Sequence, residues 1–198
     1  MIEDNYIPAR CEGAERWCVI ISGCSGGGKS SLINELARRG YRVFPEPGRE
    51  IVKEQLQIGG DGLPWQPDFR LFCELCASRI MNHYNSLGKV DRPVFFDRSL
   101  VDPVVGYMRH GLEPPAHFVK AAQLYRFHRR AFLAPPWREI HKTDAERRHD
   151  FDEAVVEYEQ ALKTYPIYGY ETVLVPKLPV AERADFVLKE GLGSPPGC

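Results

Sequence analysis

The stretch Gly23-Cys24-Ser25-Gly26-Gly27-Gly28-Lys29-Ser30 sets four glycines before a lysine and a hydroxyl. It fits G-x-x-x-x-G-K-[ST], the spacing of a phosphate-binding P-loop. Each residue type has a chemical reason. Glycines let the backbone wrap an anion, so that the N–H groups of Gly23, Ser25, Gly26, Gly27 and Gly28 point inward. A helix opening at the lysine adds partial positive charge, with the N–H groups of Lys29, Ser30 and Ser31 at its exposed end. Lys29 can reach the β- and γ-phosphates, and the Ser30 hydroxyl can ligate Mg²⁺.

A second set of residues suits the rest of a phosphoryl transfer. Asp97 follows the apolar run Val94-Phe95-Phe96. A strand-end acid there holds Mg²⁺ or accepts a proton from the attacking group. An aspartate also caps helices, but Ser99 can take that part. Arg98 offers a guanidinium fork for a phosphate or an acceptor, or an ion pair with a neighbouring carboxylate. Glu46 and Arg49 stand in Pro45-Glu46-Pro47-Gly48-Arg49-Glu50. A carboxylate there can position or deprotonate an acceptor hydroxyl, although a polar turn opening a helix has the same composition. Arg138, Arg147 and Arg148 lie in the charge-dense segment 137–150. That segment reads as a lid bringing positive charge to the transferred group. Asp144, Glu146 and Asp150 are interspersed, as they are in a solvated loop of balanced charge.

Positioning these residues takes strands that end at the same edge. Trp17 to Ile21 is a short β-branched run, and the helix after the loop carries Leu32, Ile33, Leu36 and Ala37 on one face with Gly40 as its stop. Further strands are expected at 41–44, 93–96, 131–134 and 171–175. Helices are expected from Arg49 to Ile58, from about 67 to 87, from 101 to 108, from 116 to about 129, from 151 to 165 and from Pro179 onward. Strands alternating with helices give an α/β fold, a parallel sheet covered on both faces. Ligands of such sheets bind outside the carboxyl ends of the strands. The P-loop, Glu46 and Asp97 all lie there. The expected organisation is one domain over 17–190, with a lead-in at 1–16 and a loose tail at 191–198.

Composition excludes other classes. The chain has 198 residues, 43% hydrophobic and 27% charged, with a formal net charge of −1. Nothing in that balance points to nucleic acid or an anionic membrane. No apolar run approaches the ~20 residues of a membrane span, and the polar N-terminus does not read as a signal peptide. A cytoplasmic location is expected. Cys73-x-x-Cys76 stands without a second pair or a zinc-spaced histidine pair, and falls on the apolar stripe Phe69, Phe72, Cys73, Cys76, Ile80. Core packing is the expected role.

The P-loop, Glu-Pro after the second strand, Asp-Arg-Ser after the third and the arginine-rich segment together resemble the nucleoside and nucleotide kinase branch of P-loop proteins. Deoxynucleoside kinases have Glu-Arg-Ser where this chain has Asp97-Arg98-Ser99. The pattern is similar to a small family of bacterial predicted ATPases grouped with the AAA-type domains, related to the kinase domain of the nicotinamide riboside kinase/adenylyltransferase regulator. Residues 45–50, 97–99 and 143–148 match that family's Pro-Glu-Pro-x-Arg-Glu, Asp-Arg-Ser and Thr-Asp-Ala-Glu-Arg-Arg stretches. The resemblance spans about 17–190. It implies a three-layer P-loop NTPase fold with five parallel strands in the order 2-3-1-4-5. It also implies ATP and Mg²⁺ as cofactors and a small-molecule phosphoryl acceptor that it does not name.

Three activities compete. The first is an ATP-dependent phosphotransferase acting on a nucleoside- or nucleotide-like metabolite. The second is an ATPase with a conformational output, in which water replaces the acceptor. The third is a GTPase-like switch. His141-Lys142-Thr143-Asp144 has only part of a guanine-reading Asn-Lys-x-Asp, and Asp102 and Gly106 are one residue too far apart for Asp-x-x-Gly.

Overall fold

The computed structural model of the chain describes residues 6–66, 68–141 and 150–192. Its elements, in order, are α1 (Ala14–Trp17), β1 (Cys18–Gly23), α2 (Lys29–Arg38), β2 (Arg42–Phe44), α3 (Pro47–Ile58), α4 (Arg70–Asn85), β3 (Val94–Asp97), α5 (Val101–Arg109), α6 (Ala116–Leu124), β4 (Arg130–Ala134), α7 (Phe151–Ile167), β5 (Glu171–Leu174) and α8 (Val180–Leu192). Among the described residues no helix is long and apolar enough to cross a membrane.

The five strands form one sheet in the order β2-β3-β1-β4-β5, and every pairing is parallel. The central strands β1 and β3 are buried at every position, which is why they read as unbroken apolar runs. The edge strands β2 and β5 are only partly covered. Alternate residues of the sheet feed two cores. On one face Ile20, Phe96, Ala131 and Leu133 pack with residues of α4, α5, α6 and α7. On the other Val19, Ile21, Phe95 and Phe132 pack with Leu32, Ile33 and Leu36 of α2 and with Ala184 and Val187 of α8. The register sets Ile21 beside Asp97 and Gly23 beside Ala134. The ends of β1, β3 and β4 therefore open onto one cleft.

Local chemistry sets several boundaries. α3 opens on Pro47, whose missing N–H costs nothing in a first turn, and closes on Gly59 at φ 68. α6 stops at Leu124, five residues short of the expected end. The His128 N–H donates to Cys18 O at 2.7 Å and Phe127 is buried, so segment 125–129 already follows the sheet. The lead-in contains α1, and Ala9 N donates to Asn85 Oδ1 at 2.9 Å. No apolar period marks these contacts. α8 runs on to Leu192, two residues past the expected limit of 190.

α7 starts in a capping box. Glu153 N donates to Asp150 Oδ1 at 2.9 Å and Asp150 N to Glu153 Oε2 at 3.0 Å. Asp150→Ala should cost about 1 kcal/mol. A thermal melt should show a fall of about 2–4 °C for a chain of this size.

Candidate functional site

β1 ends at Gly23, and α2 begins at Lys29 behind Gly28. Gly26 and Gly28 hold φ +78 and +79, a region open to glycine. α2 has no acidic residue in its first turn, so its positive end keeps no anion of its own. The Lys29 side chain is buried, and Nζ donates to Cys24 O at 2.7 Å, folding the ammonium back over the loop. Ser30 is half-buried, and Ser31 is exposed on the outer side of the helix. The Cys24 thiol is buried and pushed up by that burial, which makes it a poor nucleophile.

One N–H group of the loop already meets an anion. Ser25 N donates to Glu157 Oε2 at 2.9 Å. Burial alone would raise the Glu157 carboxyl, but the charges of Arg98 and Lys29 outweigh it and hold it at about 2. A carboxylate from α7 thus rests where a phosphate oxygen would compete for the same donor. The cradle fits an anionic ligand.

Arg98 gathers the acids of the cleft. Its Nη1 donates to Gly23 O at 2.8 Å and to Asp102 Oδ1 at 3.1 Å, and lies 2.8 Å from Glu157 Oε1. Its Nη2 donates to Glu46 Oε1 at 3.3 Å. The backbone of Arg98 sits at φ +87, strained for a residue with a side chain. Such strain costs about 1–3 kcal/mol and persists where the surroundings over-determine it. Here the ion pairs and the bond from Arg98 N to Ile21 O at 3.0 Å do so. Arg49 stands 3.9 Å from Glu46.

Asp102 is the hub beneath. Its carboxylate accepts from Ser22 Oγ, from Ser99 N at 2.7 Å and from the Tyr165 hydroxyl at 2.7 Å. It locks the end of β1, the turn into α5 and α7 together. Ser99 Oγ accepts from Val101 N at 3.2 Å. The turn is thus satisfied without Asp97.

Asp97 is left over. Both carboxylate oxygens are buried and take no hydrogen bond from the described residues. Burial, then the charge of Glu46, pushes its carboxyl up to about 7 against the pull of Lys29 and Arg98. Buried acceptors are nearly always paired, so an orphaned carboxylate in a cleft marks a missing donor or cation. Magnesium takes few protein ligands and favours carboxylate and hydroxyl oxygen. Asp97 and Ser30 fit that donor set.

A roof covers the loop. A Cβ added at Gly28 would come within 2.7 Å of Arg183 Nη1 and 2.9 Å of Ile140 Cδ1, and one at Gly26 would strike the His141 ring. Arg183 Nη1 donates to Gly28 O at 3.1 Å, and its guanidinium stands 5.6 Å from the Trp137 ring centre. Arg138 is exposed and lies 4.0 Å over the Phe151 ring, so the structure places it on the start of α7. Arg147, Arg148 and the rest of 142–149 lie outside the described residues.

Beside the loop is a cavity of about 140 Å³. Its floor is Ser25, Glu46, Arg98 and Glu157, and its walls include Val52, Trp65, Phe69, Phe72 and Ile80. Cys73 and Cys76 also line it; Cys73 packs in the core as well, and Cys76 is half-buried at the cavity wall. Burial pushes the Cys73 thiol up to about 12.

The fold assembles Lys29, Glu46, Asp97 and Arg98, the residues that motif and spacing single out. Motif and spacing missed Asp102, Glu157, Tyr165 and Arg183. Glu157 carried a signal: it lies three residues after Ala154 and four before Ala161, an acid in the middle of a buried stripe. Asp102 carried another, standing one helical turn after Arg98.

The model of the AAA domain family matches residues 18–183. No curated protein matches the sequence. Among solved structures, deoxyadenosine kinase from M. mycoides with products dCMP and a flexible dCDP bound aligns with TM-score 0.58 at 14% identity, over 87% of this chain and 97% of that one. The same kinase with bound dATP gives TM-score 0.54 at 14% identity, over 87% and 98%. NadR protein in complex with NR gives TM-score 0.57 at 19% identity, over 93% of this chain and 53% of that one. The chain thus spans about half the length of NadR. Five parallel strands in the order 2-3-1-4-5 with helices on both faces are the P-loop kinase fold.

Proposed function

The chain belongs to the AAA domain family, and from that premise we propose that it is an ATP- and Mg²⁺-dependent phosphotransferase acting on a hydroxyl of a small nucleoside-like metabolite. The observation that carries this reading is the cavity. An apolar, ring-sized space opens directly onto Glu46, Arg98 and the P-loop. Its ~140 Å³ is close to the ~150 Å³ of an engineered apolar cavity that takes up benzene. Hydrolysis needs room for a water, whereas transfer to a metabolite needs a shaped site next to the phosphate cradle. The aligned kinase structures, solved with deoxynucleotides, and NadR, solved with NR, support a ring-bearing acceptor.

In this reading N–H groups of the loop and of the first turn of α2, Ser25, Lys29 and Ser30 among them, and the Lys29 ammonium hold the phosphates of ATP. Ser30 and Asp97 hold Mg²⁺, which when bound neutralises phosphate charge. Glu46 accepts the proton of the acceptor hydroxyl as the hydroxyl oxygen bonds to the γ-phosphorus of ATP and the bond from that phosphorus to the departing ADP oxygen breaks. Arg98 keeps Glu46 in place and offers positive charge to the cleft. Glu157 leaves Ser25 N when a phosphate takes that donor.

The test is transfer of labelled phosphate from ATP across nucleosides, nucleotides and sugars, with a control lacking acceptor. Labelled product from a nucleoside-like acceptor, with little phosphate released in the control, is expected. Phosphate release at the same rate with and without every acceptor would make the protein an ATPase instead.

A further inference from the structure

We infer that the cavity takes an acceptor whose ring carries a carboxylate at the end remote from the reacting hydroxyl, and that Arg109 reads it. The inference rests on the kinase reading of the cavity and deepens it.

α5 lines the cavity with Asp102, Val105, Gly106 and Arg109, one face of a helix. Seven residues of helix set the backbones of Asp102 and Arg109 about 10 Å apart. That spacing leaves room for the ring of the acceptor between the two side chains, its sugar lying in the open cleft beside the P-loop. The two ends differ in chemistry. At the Asp102 end Arg98 is shared by Glu46, Asp102 and Glu157. At the other end, among the described residues, no group hydrogen-bonds or ion-pairs with Arg109, and its Nε is buried without a partner.

An Arg Nε–H removed from water and left unpaired is destabilising, so its place in a cavity wall calls for a ligand acceptor. The charge of Arg109 is one of those holding Glu157 ionised, so the two face the same space. The wall there is fixed. Phe69 stacks on His110 with ring centres 4.4 Å apart and meets Tyr107 edge-on at 5.2 Å. Next to them Gly106 faces Cys73 closely, so that a Cβ at Gly106 would lie 3.4 Å from its sulfur. The cavity wall thus carries carboxylates around Arg98 and, about two turns along α5 from Asp102, the cation of Arg109. A ring with a hydroxyl on one side and an anion on the other matches it. A carboxylate satisfies the guanidinium fork with two charged hydrogen bonds, whereas a carboxamide supplies one neutral acceptor.

The experiment is calorimetric binding of two matched riboside pairs, nicotinic acid riboside against nicotinamide riboside and orotidine against uridine. The proteins are the wild type, Arg109→Gln and Arg109→Lys. The carboxylate of at least one pair should bind the wild type about tenfold or more tightly than its neutral partner. Arg109→Gln should erase that preference while leaving the neutral partner within about threefold, and Arg109→Lys should retain part of it. Equal or tighter binding of both neutral partners, binding of none of the four, or an equal loss for both members of a pair in Arg109→Gln overturns the inference. Labelled transfer to the same compounds separates it from the kinase reading. A carboxylate preference without any transfer defeats the kinase reading alone, and transfer without the preference defeats the role of Arg109 alone.

Discussion

Arg98→Met should cost about 3–5 kcal/mol of folding stability at neutral pH, the range for breaking a buried ion pair from one side. Met keeps most of the volume and removes the charge. The side chains of Glu46, Asp102 and Glu157 are 15%, 11% and 12% exposed, and each would lose its contact with the same cation. Glu157 has the most to lose, because Arg98 is the first charge that overcomes its burial. Its carboxyl lies at about 2 against an ordinary 4.5, so the stabilisation it gives is full above pH 4.5 and fades as pH falls toward 2. That acid limb should shrink in the variant, where Lys29 and Arg109 alone oppose the burial. Urea denaturation across pH 3–8 reads both effects. Adding Glu157→Gln to Arg98→Met should recover part of the loss, since it deletes one uncompensated charge. A loss below about 1 kcal/mol, or no recovery in the double variant, would sink the three-carboxylate account.

The same cluster shows what a sequence conceals. The sheet was legible because β1 and β3 are covered on both faces, so selection for burial wrote Val19-Ile20-Ile21 and Val94-Phe95-Phe96 as continuous apolar runs. The P-loop was legible because φ values of +78 and +79 and the roof over Gly26 and Gly28 leave glycine little alternative. Asp102 and Glu157 were harder to read, because the signals they carry, a place one turn after Arg98 and a place inside a buried stripe, do not by themselves tell an ion-paired acid from a solvated one. Their meaning comes from Arg98, which lies one turn from Asp102 but on a different element from Glu157. The end of α6 was hidden for a similar reason. Segment 125–129 has no Gly or Pro to stop a helix, and its conformation is set by contacts with Cys18 and Tyr170. Arg138 illustrates the reverse, a charge in a plausible lid that packs on Phe151.

Asp97→Asn should separate stability from activity. With its carboxyl at about 7 instead of 3.8, wild-type Asp97 binds a proton in the folded protein that the unfolded chain has released. Its ionisation therefore costs nothing below pH 3.8, costs progressively more as pH rises to 7, and costs a constant amount above that. Asparagine does not ionise. In metal-free protein the variant should match the wild type at pH 4 and exceed it at pH 8, by up to about 4 kcal/mol. Denaturation with a chelator present measures the difference. Phosphoryl transfer should fall about 10²–10³-fold or more, because an amide cannot supply the negative charge that a divalent cation needs. The pH dependence of metal binding tests the link between the two. In the wild type Mg²⁺ must displace the Asp97 proton, so Mg²⁺·ATP affinity should rise about tenfold per unit between pH 5 and 7 and level off above. In Asp97→Asn that rise should be absent. A variant no more stable than wild type at pH 8 would mean that Asp97 has a donor in the resting protein. A variant with full activity would remove Asp97 from the metal site. The two results together decide whether the buried charge is kept, at a cost to the fold, for the cation it awaits.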